Sequence, residues 1–418
     1  MLDRTVAPEI KEVEEVKFIY PKFEKVTENV PFFWIKDVPN ATARLDFYFD
    51  AGTIRSKSLI ASITAGMLFS GSNVKDSTTF HNLLDDAGAY HDISVTHEQA
   101  VVSFYGLNEQ MIHIFRIFEE AMDTVVFPQS EFEEIINERK QKLQVSLEKV
   151  GVLAQRAFQK SLFDQTDYGR FANLEDFDTL LQSEIVDFFE KFYKKGLVKI
   201  VLVGDIPHND VNDILNQSKK WAISHVPTFK SDFVNQPSRI HLEKKDAIQT
   251  AVRIGKLLFN KEHEDYISFT ILNTILGDYF GSRLMKNIRE DKGYTYGIGS
   301  FVSELNHTGY FIIATEVGSE FADKTIEEIR KEIEILQTDL IDEQELDLVR
   351  SYLLGQILKT ADGPYATMDL YLGVQNHGMD LEFYNRFIHK IRMIQPMELR
   401  EIARKYLVWD TLNVISVG

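Results

Sequence analysis

The sequence predicts an α+β fold built twice: two homologous domains, each a mostly antiparallel sheet packed with helices. Three observations carry this. First, the chain repeats itself. Residues 86–122, DAGAYHDISVTHEQAVVSFYGLNEQMIHIFRIFEEAM, and residues 291–329, DKGYTYGIGSFVSELNHTGYFIIATEVGSEFADKTIEEI, run through one order. Each has a glycine turn, two alternating strand-like runs, a polar break and an amphipathic helix. Gly88 maps to Gly293, an offset of 205. Second, the flanks correspond. SLIASITAGMLFSGS matches SFTILNTILGDYFGS, an apolar helix ending in glycine, and FPQSEFEEIINERKQKLQ matches LIDEQELDLVRSYLLGQ, a helix start leading into a long helix. Third, each half closes on a short strand, LVKIVLVGD at 197–205 and LNVISVG at 412–418. A period this long is no solenoid; it means two copies of one α/β unit side by side.

The boundary follows. A helix is expected over His208 to Ala222. Then ISHVPTFKSDFVNQPS, with two prolines and no clean period, reads as a linker. The predicted organisation is an N-terminal domain at 1–222, a linker at 223–238 and a homologous C-terminal domain at 239–418. The order of strands and helices in each half favours helices on one face of the sheet.

Composition narrows the class. The chain has 418 residues, 44% of them hydrophobic and 26% charged, enough for large cores. It has no cysteine, which excludes disulfides and thiolate-ligated metal sites. That fits a reducing compartment, so a cytoplasmic setting is expected, with the bacterial periplasm also compatible. The start, MLDRTVAPEIKEVEEVKF, has no apolar core of a signal peptide. No apolar run approaches the ~18 residues that span a bilayer. A net charge of −18 disfavours nucleic acid and anionic membrane. It serves solubility, or it marks an acidic cavity that prefers basic ligands.

Most familiar chemistry is missing. Among 11 histidines no two are closer than six positions (His91 and His97), so the helical i, i+4 zinc pair is absent. Six residues of strand span about 20 Å, too far for one coordination sphere. There is no G-x-S-x-G elbow and no phosphate loop. The glycines of GYTYGIGS, 293–300, read as turns around a strand. One segment stands out, GSRLMKNIREDKGYTYG at 281–297. Its helical pattern breaks at Gly293, and Arg289 precedes Tyr296 by seven. A guanidinium fork and a phenol so placed suit a peptide carbonyl, carboxylate or oxyanion. The alternative is a surface ion pair of Arg289 with Glu290 or Asp291, beside a packing tyrosine.

The duplicated halves, the MLFSGS turn and SRLMKNIREDKGYTYG together resemble the pitrilysin/insulinase superfamily of zinc metallopeptidases, over nearly the whole chain from about residue 17. The mitochondrial processing peptidases and bacterial two-subunit enzymes belong to it. The resemblance implies a processing-peptidase-like duplication in which two chains of this length close around a chamber. The family's catalytic helix carries H-x-x-E-H just before a segment like M-L-F-x-G-[ST], matched here by Met67, Leu68, Phe69, Gly71 and Ser72. The motif positions then fall on Ser62, Ile63, Thr64, Ala65 and Gly66. Ser62 and Gly66 replace the zinc-binding histidines, and Ala65 replaces the general-base glutamate. The third ligand position lands near Leu143, where no glutamate stands between Glu138 and Glu148. The resemblance therefore implies no metal and no catalytic residue on this chain, with zinc on a partner.

The family's second signature is present: an arginine and a tyrosine, seven apart, that hold substrate. Arg289 and Tyr296 match it. The reading is a non-catalytic, substrate-binding subunit of a heterodimeric zinc peptidase, its partner an H-x-x-E-H-bearing chain of similar length. The expected substrate is a peptide or unfolded segment, and an isolated chain could pair with itself. Two rivals are a scaffold without any peptidase role and a stand-alone peptide-binding module.

Overall fold

A computed structural model describes residues 15–57, 59–164, 166–225 and 233–418. Residues 1–14, on which the signal-peptide expectation partly rests, and residues 226–232 of the expected linker lie outside the described residues. Eleven strands form two sheets among the described residues. The first holds β1 (Lys22–Thr27), β2 (Val30–Ile35), β3 (Thr42–Phe49), β4 (Tyr90–Val95), β5 (Ala100–Leu107) and β6 (Leu197–Val203). The second holds β7 (Arg239–Leu242), β8 (Gln249–Leu258), β9 (Thr295–Leu305), β10 (Thr308–Gly318) and β11 (Asn413–Val417).

Their orders are β1-β2-β6-β3-β5-β4 and β7-β11-β8-β10-β9. Without the extra edge strand β1, the two sheets share one topology. Each has a single parallel pair, β2 with β6 and β7 with β11, and is otherwise antiparallel. This is the mostly antiparallel α+β arrangement the repeats predict.

The first half supplies helices α1 (Ile60–Gly66), α2 (Ser77–Asp86), α3 (Met111–Thr124), α4 (Gln129–Ser146), α5 (Val150–Phe163), α6 (Leu174–Thr179), α7 (Gln182–Phe192) and α8 (His208–Ser218). The second supplies α9 (Tyr266–Leu276), a π-helix at Met285–Asp291, α10 (Ala322–Thr338), α11 (Glu343–Thr360), α12 (Gly363–Gln375), α13 (Glu382–Met393) and α14 (Pro396–Tyr406). Apolar spacing explains the burial. In α3, Met111, Ile114, Phe115, Phe118, Ala121 and Met122 form one buried stripe.

The expectation of helices on one face holds only for each half's own helices. The other face of each sheet is covered by a helix from the opposite half. Helix α12 lays Met368 and Leu372 on Phe33, Ile35, Val201 and Val203 of the first sheet. Helix α5 packs on β8 and β11, setting Phe158 and Leu162 against Leu257, Ile312 and Ile415. That is why β2 (VPFFWI) and, apart from Lys199, β6 (LVKIVLV) are apolar without alternation: strands covered on both faces bury both sets of side chains. The exchange is also tied by polar contacts. Arg44 pairs with Asp46 at 3.0 Å and with Asp369 of α12 at 2.7 Å. Lys199 donates to Asn376 at 2.7 Å and Gln375 at 3.2 Å at the end of α12.

Candidate functional site

Helix α1 carries Ser62, Ala65 and Gly66, the positions that the resemblance assigns to the zinc motif. Its hydroxyls are used up by its own backbone: Ser62 Oγ donates to the Leu59 carbonyl at 3.1 Å and Thr64 Oγ1 to the Ile60 carbonyl at 2.8 Å. Ala65 is buried, and so are Met67, Leu68 and Phe69 just beyond it. Phe69 packs edge-on to Phe104 and His91 and lies beside Phe80 and Phe118, so the apolar tail anchors the helix to the core.

The space in front of Gly66 is filled. A Cβ there would stand 2.6 Å from Ile135 Cδ1 and 2.8 Å from Arg139 Nη2, both on α4. Arg139 is half-buried and has no ion-pair partner among the described residues. Burial pulls its pKa below the usual value, with Glu138 opposing the shift, and a guanidinium still stays charged. Zinc therefore does not fit. Serine, alanine, glycine and leucine offer it no suitable donors, and a fixed cation lies beside the position of the second ligand. Among the described residues no group of three His, Asp or Glu side chains is placed to hold a metal. Arg139 escaped the sequence reading because only the packing of α4 on α1 reveals it.

The second signature sits on two irregularities. Arg289 lies within the π-helix Met285–Asp291, where Lys292 N–H reaches back to the Asn287 carbonyl at 3.1 Å. Such single-turn π segments recur at functional sites. The segment is pinned to α10: Asn287 donates to Glu332 at 2.6 Å, and Lys292 pairs with Glu328 at 3.5 Å. The Arg289 guanidinium rests over the exposed ring of Phe280, 4.7 Å from its centroid.

Tyr296 lies on a β-bulge of the edge strand β9. Thr295 opposes Val317 and Ile298 opposes Thr315, so Tyr296 and Gly297 face the single residue Glu316. Thr295 and Thr315 clamp the bulge. Thr315 Oγ1 donates to Thr295 Oγ1 at 3.0 Å and the Gly297 carbonyl at 2.9 Å, and Thr295 Oγ1 donates to the Glu316 carbonyl at 2.7 Å. The phenol is 94% exposed. Neither half of the alternative reading is realised: Arg289 makes no ion pair with Glu290 or Asp291 among the described residues, and Tyr296 does not pack. No hydrogen bond or ring contact joins Arg289 to Tyr296 either. The two lie on one stretch of chain with both functional groups uncommitted to the fold's own hydrogen bonds.

Tyr296 lines a recess of about 360 Å³ with Thr295, Thr315, Gln249, Arg253 and Glu316. Arg253 is nearly buried; it donates to the carbonyls of Val252 at 3.0 Å and Thr315 at 3.1 Å and to Gln155 of α5 at 3.3 Å. Among the described residues no helix is long and apolar enough to cross a membrane.

Residues 181–353 match the model of the peptidase M16 inactive domain. A Bacillus subtilis protein carrying the name uncharacterized zinc protease YmxG is 25% identical over 185 residues, 43% of this chain and 44% of that one; the chain thus spans under half the length of this relative. The non-peptidase homolog YmxG of Helicobacter pylori is 21% identical over 371 residues, 86% of this chain and 84% of that protein. In fold, the crystal structure of a peptidase M16 inactive domain from Pseudomonas fluorescens superposes with a TM-score of 0.86 at 21% identity, covering 96% of this chain and 98% of that one. The chain is thus similar, over residues 181–353, to the peptidase M16 inactive domain, and it shares the fold of a solved structure of that domain.

Proposed function

We propose that this chain is the substrate-binding subunit of a heterodimeric zinc peptidase whose partner carries H-x-x-E-H. The partner brings the metal and the general base. This chain closes the chamber and presents Arg289 and Tyr296 to the peptide. One observation carries the reading. The degenerate helix is packed shut by Ile135 and Arg139, while Arg289 and Tyr296 are held outward by a π-helix and a clamped bulge. A scaffold has no need for exposed groups on such irregular backbone.

In this role the residues have distinct tasks. The Arg289 fork donates to a carbonyl or carboxylate of the peptide. The Tyr296 phenol donates one hydrogen bond where charge develops on the scissile carbonyl. The test is reconstitution with the partner and assay of Arg289→Ala and Tyr296→Phe. Each is expected to lower kcat/KM by about 3 kcal/mol in transition-state stabilisation, with unchanged assembly. Unchanged kcat/KM in both variants removes the assignment. Micromolar peptide binding by the isolated chain, with no partner captured, assigns it instead as a stand-alone binding module.

A further inference from the structure

The recess under Tyr296 opens into a cavity of about 880 Å³, and the two share Gln249, Arg253 and Glu316. The cavity lies where the start of α5, from the first half, meets the β7–β8 loop of the second. Any extended ligand that reaches Tyr296 from this side passes through it.

Its charge opposes that of the chain. Lys149, Arg156, Lys244, Lys245 and Arg253 line it, against the three carboxylates Glu148, Asp246 and Glu316. The protein as a whole carries −18. Two of the cations are matched: Lys244 pairs with Glu148 at 2.9 Å, and Arg253 lies 3.8 Å from Glu316. Lys149, Arg156 and Lys245 have no ion-pair partner among the described residues. Arg156 donates instead to the Ala172 carbonyl at 2.8 Å and Asn173 Oδ1 at 3.1 Å. Asp246 is the one lining carboxylate left without a cation among the described residues. Two unmatched cations, Lys149 and Lys245, together with Arg156, which also feels the Asp176 carboxylate, thus face one unmatched carboxylate. The reading of −18 as an acidic cavity for basic ligands does not describe this space.

The rim is apolar. Ile248 is 88% exposed, and Tyr296 stands at the far end. Cations interleaved with exposed apolar side chains suit a peptide that carries carboxylates. A nucleic acid would extend past this small basic area onto a surface of its own sign.

We propose that the cavity receives an acidic stretch of the peptide, glutamate or aspartate side chains, next to the residue that Tyr296 contacts. This rests on the proposed function and names its substrate class. The test uses the full chain without partner. Fluorescence anisotropy compares a labelled, C-terminally amidated glutamate-rich peptide with a lysine-rich peptide of equal length. The glutamate peptide is expected to bind about tenfold tighter, less so at high salt. The Lys149→Glu/Lys245→Glu variant, altered only at exposed positions, should lose that preference while keeping the wild-type circular dichroism and Tm. Equal binding of the two peptides, or an unchanged preference in the folded variant, overturns the proposal. A retained acidic preference with no effect of Arg289→Ala and Tyr296→Phe in the reconstituted complex sinks the peptidase reading and leaves the cavity standing.

Discussion

Arg139 Nη2 lies 2.8 Å from the point where a Cβ on Gly66 would stand. A cation on α4 has thus taken the space that a metal ligand on α1 would need. The positions that the resemblance assigns to the zinc motif are thus closed off by the packing of α4 on α1. The consequence is that the motif cannot be restored on α1 alone.

The variant Ser62→His/Ala65→Glu/Gly66→His is therefore expected to bind no stoichiometric zinc. The new imidazole at 66 must displace Arg139 and Ile135, and Leu143 offers no third donor. Metal analysis of the dialysed variant checks this; one zinc per chain would contradict it.

Lys199 supplies a pH test of how the halves are joined. It is buried against the ring of Tyr48 with only amide oxygens as partners. Burial pushes its pKa down from 10.5 to about 8. Below about pH 8 both states hold the proton, and the full cost of burying the charge, roughly 3 kcal/mol, is present. Between about 8 and 10.5 the unfolded chain holds the proton and the folded one does not, so stability rises with pH. Lys199→Met should lose this rise, by about 1.4 kcal/mol per pH unit relative to wild type. Denaturant titrations of both proteins across the window measure it, and parallel curves would contradict it.

Thr315→Val removes the donor that clamps the bulge beneath Tyr296. It leaves the Gly297 carbonyl without this bond and should cost about 1 kcal/mol of stability. In a reconstituted complex kcat/KM should fall with it, because the phenol loses its fixed aim. Equal kinetics for variant and wild type would show that the bulge does not position Tyr296.

Met368→Ala tests the helix exchange. Met368 belongs to the second half yet is fully buried on the first sheet. The change should cost about 2–5 kcal/mol. Because the contact crosses between the halves, calorimetry should show their unfolding separating into two transitions. A Tm equal to wild type would argue against docking through α12.

Repeat, sheet class and paired correspondences were legible because each half writes one pattern of glycine turn, alternating strands and amphipathic helix. Gly88 and Gly293 both adopt positive φ, at 64° and 67°, as the repeated turn demands. The helix exchange was hidden: α5 and α12 read as ordinary amphipathic helices, and nothing in their spacing says whose sheet they cover. One clue was available in β2 and β6, whose continuous apolar runs require cover on both faces.

The candidate pair could be named from the sequence, but its backbone setting could not. Arg289 and Tyr296 stood out through their seven-residue spacing together with the resemblance of the segment around them. The π-helix and bulge that present them depend on hydrogen-bond registers, Asn287 with Lys292 and Thr295 with Glu316, which one-dimensional periodicity does not encode. The same holds for the basic cavity. Lys149 and Lys245 are far apart in sequence, and only the docking of α5 on the second sheet gathers them inside an acidic protein.

The central claim is a metal-free chain that acts only with a partner. The most direct measurement is zinc content and peptidase turnover of the tagged chain purified from its native cells, before and after the co-purifying chain is stripped away. The account predicts zinc and turnover in the complex, an H-x-x-E-H sequence in the partner, and neither zinc nor turnover in the stripped chain. Stoichiometric zinc with robust turnover by the chain alone would contradict it.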